Sequence, residues 1–353
     1  MEPGEERDAR ADAAADPDPA TQREMLRLLR GYTVTQIAGA LAELGVADAL
    51  DASPRAGDEL AETLALPSDT LRRLLRAAAS VGLVEEPSPD AFRATARSEL
   101  LAARTPGSLH AFARNVSGNG HWSVWGRLAD AIRSGEGQAP AALGASLWEH
   151  YGNHPDEGRV FAAAMSERTV PQTAAIVGCI GPARHRRIVD VGGSTGVLLA
   201  ACLAAAPGAS GVLVDRPEVV TGVAPDLGDP TLAGRVELAG GDFFAGVPAG
   251  ADAYLLKLVL HDWPDAAAVR ILRAVRAAIA PDGLLYVVEL VVPPAGARGT
   301  AHVLDLSMLV SFGGRERTAD EYRDLLGAAG FRLDEVRPLA NEPERAVMVA
   351  RPV

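Results

Sequence analysis

The stretch Ile188-Val189-Asp190-Val191-Gly192-Gly193-Ser194-Thr195-Gly196 (IVDVGGSTG, residues 188–196) reads as a short apolar strand that runs straight into a glycine-rich turn. A glycine turn between a strand and a helix lets a ligand come close to the backbone at the helix N-terminus, where unpaired N–H groups point outward. The spacing is not the dinucleotide fingerprint GxGxxG: counted from Gly192, glycine would be needed at 194 and 197, which are Ser194 and Val197. Nor is it a phosphate loop of the GxxxxGK[ST] type. The turn points to a nucleoside site of another kind.

Moving outward, β-rich runs at 188–191, 211–215, 236–238, 254–260 and 284–292 alternate with helical patterns, and a last helix at about 319–329 leads to terminal strands at 331–337 and 346–351. That alternation is the signature of a parallel, doubly wound α/β sheet. Ligands of such sheets bind outside the carboxyl ends of the strands, so the strand-end residues read as stations of one crevice. Asp215, nineteen residues beyond Gly196, ends the second strand and suits both ribose hydroxyls. Asp242 with Phe243-Phe244 follows the third, where a carboxylate or backbone amide could meet the adenine amino edge and a phenylalanine its face.

The fourth strand is followed by His261-Asp262-Trp263-Pro264, with Pro264 suited to the first turn of a helix. A histidine here points into the crevice, and with an ordinary pKa of about 6.5 it is a competent general base. Glu289, ending the fifth strand, and Glu316, in Gly313-Gly314-Arg315-Glu316, are carboxylates that could orient the ring and stabilise its charged form. Lys257 lies in the same run and is the single lysine among 34 basic residues. Period-2 alternation predicts that Lys257 and His261 share a face, with the lysine stem beside the adenine.

Upstream, residues 1–20 read as a disordered acidic tail carrying −5 of the net charge of −12. From Gln22, Leu26, Leu29, Ile37, Leu41 and Leu44 recur at helical spacing until Gly45, giving an apolar stripe. Helices at about 58–65 and 69–81, the second with Ser68 as N-cap, precede a small hairpin from Leu83-Val84-Glu85 and Phe92-Arg93-Ala94. This is a winged-helix outline, assigned to residues 21–105, followed by a helical linker and substrate-pocket region at 106–180 and the sheet domain at 181–353. Residues 57–97 hold seven acids against five arginines, which favours packing and dimerisation over DNA binding.

Composition excludes other classes. With 48% hydrophobic and 23% charged residues the chain can bury a real core. The acidic balance argues against binding nucleic acid, and no apolar run approaches the roughly 18 residues of a membrane helix. Without a signal-peptide pattern the chain is expected to be cytoplasmic and not membrane-bound. Cys179 and Cys202 form neither a CxxC pair nor metal spacing, and no carboxylate cluster with magnesium spacing stands out.

Taken in order, IVDVGGSTG, LVDRPEV, GDFF, YLLKLVLHDWPD, VVELVVP and GGRERTADEYRDLLGAAGF resemble the S-adenosylmethionine-dependent O-methyltransferases that act on plant phenolics and on bacterial polyketides and antibiotics. The resemblance covers nearly everything after the tail. One departure is Gly192-Gly193-Ser194, where plant members usually have three glycines. The resemblance implies a class I methyltransferase Rossmann-like sheet, an N-terminal winged-helix dimerisation domain and a homodimer. It places Asp190, Gly192, Gly193, Asp215, Asp242, Phe243, Lys257 and Trp263 around S-adenosylmethionine, with Gly192 at the methionine end. His261 is implied as general base, held by Glu289 and Glu316, and Met165 as a neighbour of substrate and methyl donor.

The expected reaction is in-line displacement: a hydroxyl of a small aromatic or polyketide-type metabolite attacks the sulfonium methyl, leaving S-adenosylhomocysteine, without metal. Trp122, Phe161, Met165, Met308 and Phe312, with Trp125 and Trp148, are the expected lining of the acceptor pocket. The competing readings are another tailoring step on the same cofactor (hydroxylation, decarboxylation or a pericyclic step), N- or C-methylation, and a winged-helix DNA-binding regulator.

Overall fold

Period-2 alternation sorts the C-terminal half into two cores. Ile188, Leu213, Leu255, Tyr286 and Val288 turn to one face of a sheet, against helices Thr173–Ile180 and Val197–Ala204. Val189, Val191, Tyr254, Leu256 and Val287 turn to the other, against Asp265–Ala278 and Ala319–Ala328. Strands covered on both faces need near-continuous apolar sequence, which is how these runs read. The computed structural model describes residues 18–221, 225–294, 296–297, 299–340 and 342–353.

A three-stranded sheet in the N-terminal part is built from β1 (Arg55–Ala56), β2 (Val84–Ser88) and β3 (Ala91–Ala94), in the order β1-β3-β2. The large sheet contains β4 (Arg187–Val191), β5 (Ser210–Asp215), β6 (Val236–Gly240), β7 (Ala253–Lys257), β8 (Leu284–Leu290), β9 (Phe331–Leu339) and β10 (Glu342–Pro352). Their order is β6-β5-β4-β7-β8-β10-β9, parallel from β6 to β8, with β10 antiparallel to both neighbours. The chain leaves β4 to build one side through β5 and the other through β7. Such a switch point opens a crevice at the carboxyl ends of these strands.

Before the sheet, helices Gly57–Leu64 and Ser68–Ser80 pack with β2 and β3 around Leu41, Leu60, Leu75 and Phe92. A separate helical cluster joins Val124, Leu147, Tyr151 and Val310, with Trp148, Phe161 and Phe312 against it. Most of it precedes the large sheet in sequence, and helix Ala301–Phe312 brings Val310 and Phe312 back to it.

Several expectations need correction. The acidic tail lies outside the described residues up to position 17, but its end at 20 is too late: Asp18 caps helix Pro19–Leu29 by accepting from the N–H groups of Ala20 and Thr21. The helical run to Gly45 is two helices, Pro19–Leu29 and Gly31–Glu43, with Arg30 between them at ψ near 1°. Its stripe is divided accordingly, since Leu41 is buried whereas Leu26, Leu29 and Leu44 are exposed. Ser68 is the first helical residue and not the N-cap; its hydroxyl goes to Asp58. Pro264 sits one position before its helix, at the N-cap. Finally, β7 stops at Lys257, short of the expected 260. Leu258 takes a left-handed φ of 54°, and His261 comes on a tight turn over Leu260–Asp262. The alternation that would have put Lys257 and His261 on one face does not extend that far.

Candidate active site

At the mouth of β4, the chain turns back through left-handed Gly192, Ser194 and Gly196 (φ 70°, 54° and 85°) before helix Val197–Ala204. Gly193 is required by space: a Cβ there would stand 2.6 Å from Asp190 Oδ2 and 2.5 Å from Leu213 Cδ1. Asp190 is buried, and its Oδ2 has no hydrogen-bond partner among the described residues. Burial pushes its carboxyl up to about 7, against the pull of Lys257. A buried carboxylate oxygen without a donor beside a glycine turn fits a ligand that carries an amino group.

Asp215, at the end of β5, accepts from the Ser194 N–H through Oδ2 (2.8 Å) and from the Arg216 N–H through Oδ1 (2.8 Å). Burial raises its carboxyl, and those two amides counter the rise. It is thereby oriented, with lone pairs left for a diol. Past β6, Phe243 stands edge-on to Trp263 (6.2 Å, 88°), as does Phe244 (4.7 Å, 86°). Phe243 also reaches to within 3.9 Å of where a Gly192 Cβ would be, so its ring flanks the glycine turn, with Trp263 against its edge. Asp242 is exposed and accepts from the Phe244 N–H (2.8 Å). Asp190, Gly192, Gly193, Asp215, Phe243 and Trp263 therefore gather at one crevice, with Asp242 at its open edge.

Lys257 turns to the opposite side of the β7–β8 pair from Glu289, and its Nζ donates to Thr169 Oγ1 (2.9 Å) on helix Pro155–Thr169. Burial, with repulsion from Arg345 next, pushes its ammonium down to about 7. Its reach toward Asp190 is electrostatic.

His261 is buried, and its Nδ1 lies 2.8 Å from Glu316 Oε1 and 3.6 Å from Glu289 Oε2. Glu289 is held by the backbone of the turn itself: Oε1 accepts from Val259 N–H (3.0 Å) and Leu260 N–H (2.9 Å). The Glu316 N–H donates to Asp305 Oδ1 (2.8 Å), and the Arg315 N–H to the His261 carbonyl (2.8 Å). Burial disfavours the imidazolium, but Glu289, Asp262 and Glu316 outweigh it and hold the ring up to about 10. The ligating atoms of His261, Glu289 and Glu316 lie within 4.8 Å of one another, close enough to surround an ion. A proton already satisfies this geometry: with Nδ1–H donated to Glu316, that nitrogen has no lone pair for a metal.

Two members of this cluster were not foreseen. Asp262 Oδ1 stands 3.5 Å from His261 Nε2, and burial pushes its carboxyl up to about 7. Arg317, fully buried, clamps the turn by donating to the carbonyls of Leu260 (3.0 Å) and Trp263 (2.8 Å) and to Asp265. Adjacency to His261 could have signalled Asp262; nothing local signals Arg317.

On the acceptor side, Trp148 stacks on Phe312 (5.0 Å, 26°) and meets Phe161 edge-on (5.6 Å), and Phe161 stacks on Tyr151 (4.8 Å). Met165 and Met308 are half-buried on the helices that carry Phe161 and Phe312. Trp122 is half-buried on helix Asn119–Trp125, and no ring contact joins it to the stack among the described residues. Trp125 and Trp148 both bury an indole N–H without an acceptor among the described residues.

A nucleoside crevice on a doubly wound sheet, backed by a buried imidazole–carboxylate cluster and faced by an aromatic box, defines a methyltransferase dependent on S-adenosylmethionine. The comparison with known proteins makes this specific. The chain belongs to the O-methyltransferase family: residues 125–332 match its O-methyltransferase domain and residues 26–104 its dimerisation domain. It is 35% identical over 329 residues to the phenazine O-methyltransferase PhzM of Lysobacter antibioticus, covering 93% of this chain and 96% of that one. It is 33% identical over 332 residues to the 8-amino-8-demethylriboflavin N,N-dimethyltransferase of Streptomyces davaonensis, covering 91% and 95%. Among solved structures, the mitomycin 7-O-methyltransferase MmcR superposes with a TM-score of 0.88 at 34% identity, covering 95% and 98%. S-Adenosylmethionine is the methyl donor of the family, which works without metal. No described helix is long and apolar enough to cross a membrane.

Proposed function

We propose that the chain transfers the methyl group to a phenolic hydroxyl of a small aromatic or polyketide-type secondary metabolite, with His261 as general base positioned by Glu289 and Glu316. The observation that carries this reading is the buried His261 ring, with Nδ1 fixed on Glu316 at 2.8 Å, which leaves Nε2 for the substrate proton. When bound, S-adenosylmethionine supplies a sulfonium-activated methyl group. Asp215 would hold the ribose, Asp190 and the 192–196 turn the methionine end, and Phe243 with Trp263 the adenine side, while Asp242 and Lys257 complete the surroundings. The chain's own work is then alignment and proton removal. Trp148, Phe161 and Phe312 offer flat apolar faces to a planar acceptor, with Met165, Met308 and Trp122 at the margin. The dimerisation domain and the exposed Leu26 and Leu29 support a homodimer.

A ring nitrogen near 10 is matched to a phenol, whose ordinary pKa is also about 10, so proton transfer between them is close to balanced. It also means that the free enzyme carries imidazolium at neutral pH. A base must be neutral before it accepts a proton, so kcat/KM is expected to climb about tenfold per pH unit through the neutral range and level off near 10. Glu316→Gln removes one carboxylate that raises the ring, and the limb of the pH–rate profile should move to lower pH. An unmoved limb would assign it to another group.

Radiolabelled methyl transfer to a panel of phenolic and quinone aglycones, with and without a chelator, tests the reaction. Label is expected in a phenol ether at a rate that the chelator does not change. The similarity to an N,N-dimethyltransferase supports N-methylation as the second reading; product mass spectrometry distinguishes the two, because an amine product appears only with amino acceptors.

A further inference from the structure

We propose that Arg216 is a positioning residue that transmits occupancy of the ribose station to the acceptor-side aromatic stack. The inference rests on the cofactor reading above. Arg216 is the residue after Asp215 and touches both sites. Its N–H donates to Asp215 Oδ1 (2.8 Å), while its Nη1 donates to the Trp148 carbonyl (2.9 Å) and its guanidinium lies 5.7 Å from the Trp148 ring. Glu218, 3.2 Å away, steadies the same head group.

What lies around this bridge gives it weight. Helix Leu147–Asn153, which carries Trp148, is separated from the Asp215 loop by a surface cavity of about 640 Å³, lined by Gly144, Trp148, Gly152, Asn153, Arg216 and Glu218. Arg216 crosses that gap with a charge-assisted hydrogen bond and a cation–π contact, each stronger than a neutral surface contact. Trp148 then stacks on Phe312, and the segment just after Phe312 is bonded to the His261 carbonyl through the Arg315 N–H. A continuous set of contacts thus runs from the ribose carboxylate to the base.

The physical effect is on freedom of motion. Hydroxyls that donate to Asp215 fix its carboxylate, and through Oδ1 the backbone of Arg216; a guanidinium on a fixed backbone holds the 147–153 helix at lower entropic cost. By reciprocity, an ordered acceptor stack strengthens binding at the ribose station by the same factor. Loss of the head group should break the linkage without emptying either site.

Hydrogen exchange with S-adenosylhomocysteine as the probe reads both sites at once. In the full-length wild-type protein the ligand should slow exchange in segments 190–196 and 147–153. In Arg216→Ala, slowing at 190–196 should persist while slowing at 147–153 falls about tenfold, and Arg216→Lys, which keeps a cationic donor, should restore part of it. A merely structural role for Arg216 would change exchange equally with and without ligand. Equal ligand-linked slowing of 147–153 in wild type and Arg216→Ala overturns the proposal. Absence of slowing at 190–196 in the wild type overturns the cofactor assignment and the proposal together.

Discussion

Replacement of His261 by alanine is expected to slow single-turnover methyl transfer by about 10²–10⁴-fold, the usual worth of a positioned general base. Affinity for S-adenosylhomocysteine should be unchanged, because the group assigned to the ribose, Asp215, is held by the Ser194 amide and not by the ring. The loss should be steepest for acceptors whose hydroxyl is least acidic, since a phenolate that forms unaided needs no base. Glu316→Gln should cost less than the alanine at 261, as the ring keeps Glu289 and Asp262 within 3.6 Å. Glu289 is different: its Oε1 also anchors the amides of Val259 and Leu260, so its removal loosens the turn that carries the base. Full single-turnover rate in His261→Ala, with cofactor affinity intact, would remove the base assignment.

Much of this arrangement was legible in the chain because it depends on local rules. Strands buried on both faces must be apolar without interruption, and a ligand can approach the backbone only where glycine leaves room, so β4, the 192–196 turn and Asp215 announced themselves. The neighbourhood of the base was legible as a set of residue types at strand ends, but not as geometry. Nothing in Tyr254–Leu260 marks the strand's end at Lys257, for the left-handed residue is Leu258 and not a glycine. Its strained backbone is held from outside: Leu258 donates its N–H to the Val288 carbonyl (3.0 Å), the next two amides go to Glu289, and Arg317 takes the Leu260 carbonyl. Those partners are 29 to 57 positions away, beyond any periodicity. Arg30 likewise divides a helix whose apolar spacing continues through it. The aromatic box was foreseen as composition, yet its central member, Trp148, is defined by three helices that meet only in the folded protein.

Gly314→Ala is expected to be the most damaging small substitution outside the catalytic side chains. In the glycine pair before Glu316, Gly313 has a left-handed φ of 72°, which explains its own identity as the residue that ends helix Ala301–Phe312. Gly314 is fixed by contact instead. A Cβ there would lie 2.1 Å from the His261 carbonyl oxygen, 2.5 Å from the Asp262 carbonyl carbon and 2.8 Å from the Asp262 oxygen. All three atoms are backbone, so no rotamer can relieve the clash; the 260–262 turn must separate from the 313–316 segment. The separation would lengthen the Arg315 N–H bond to the His261 carbonyl and the 2.8 Å contact between His261 and Glu316. Overpacking of this kind costs roughly 1–3 kcal/mol of stability, which a domain of this size survives. Displacement of a reacting group by about 1 Å, however, is enough to cost about 10²-fold in rate. The variant should therefore remain folded, bind S-adenosylhomocysteine as the wild type does, and lose about two orders of magnitude in kcat. Its pH–rate limb should also fall, because a ring moved away from Glu316 holds its proton less tightly. Wild-type kcat with an unmoved limb would show that the two segments can part without disturbing His261, and would separate the glycine's identity from the chemistry.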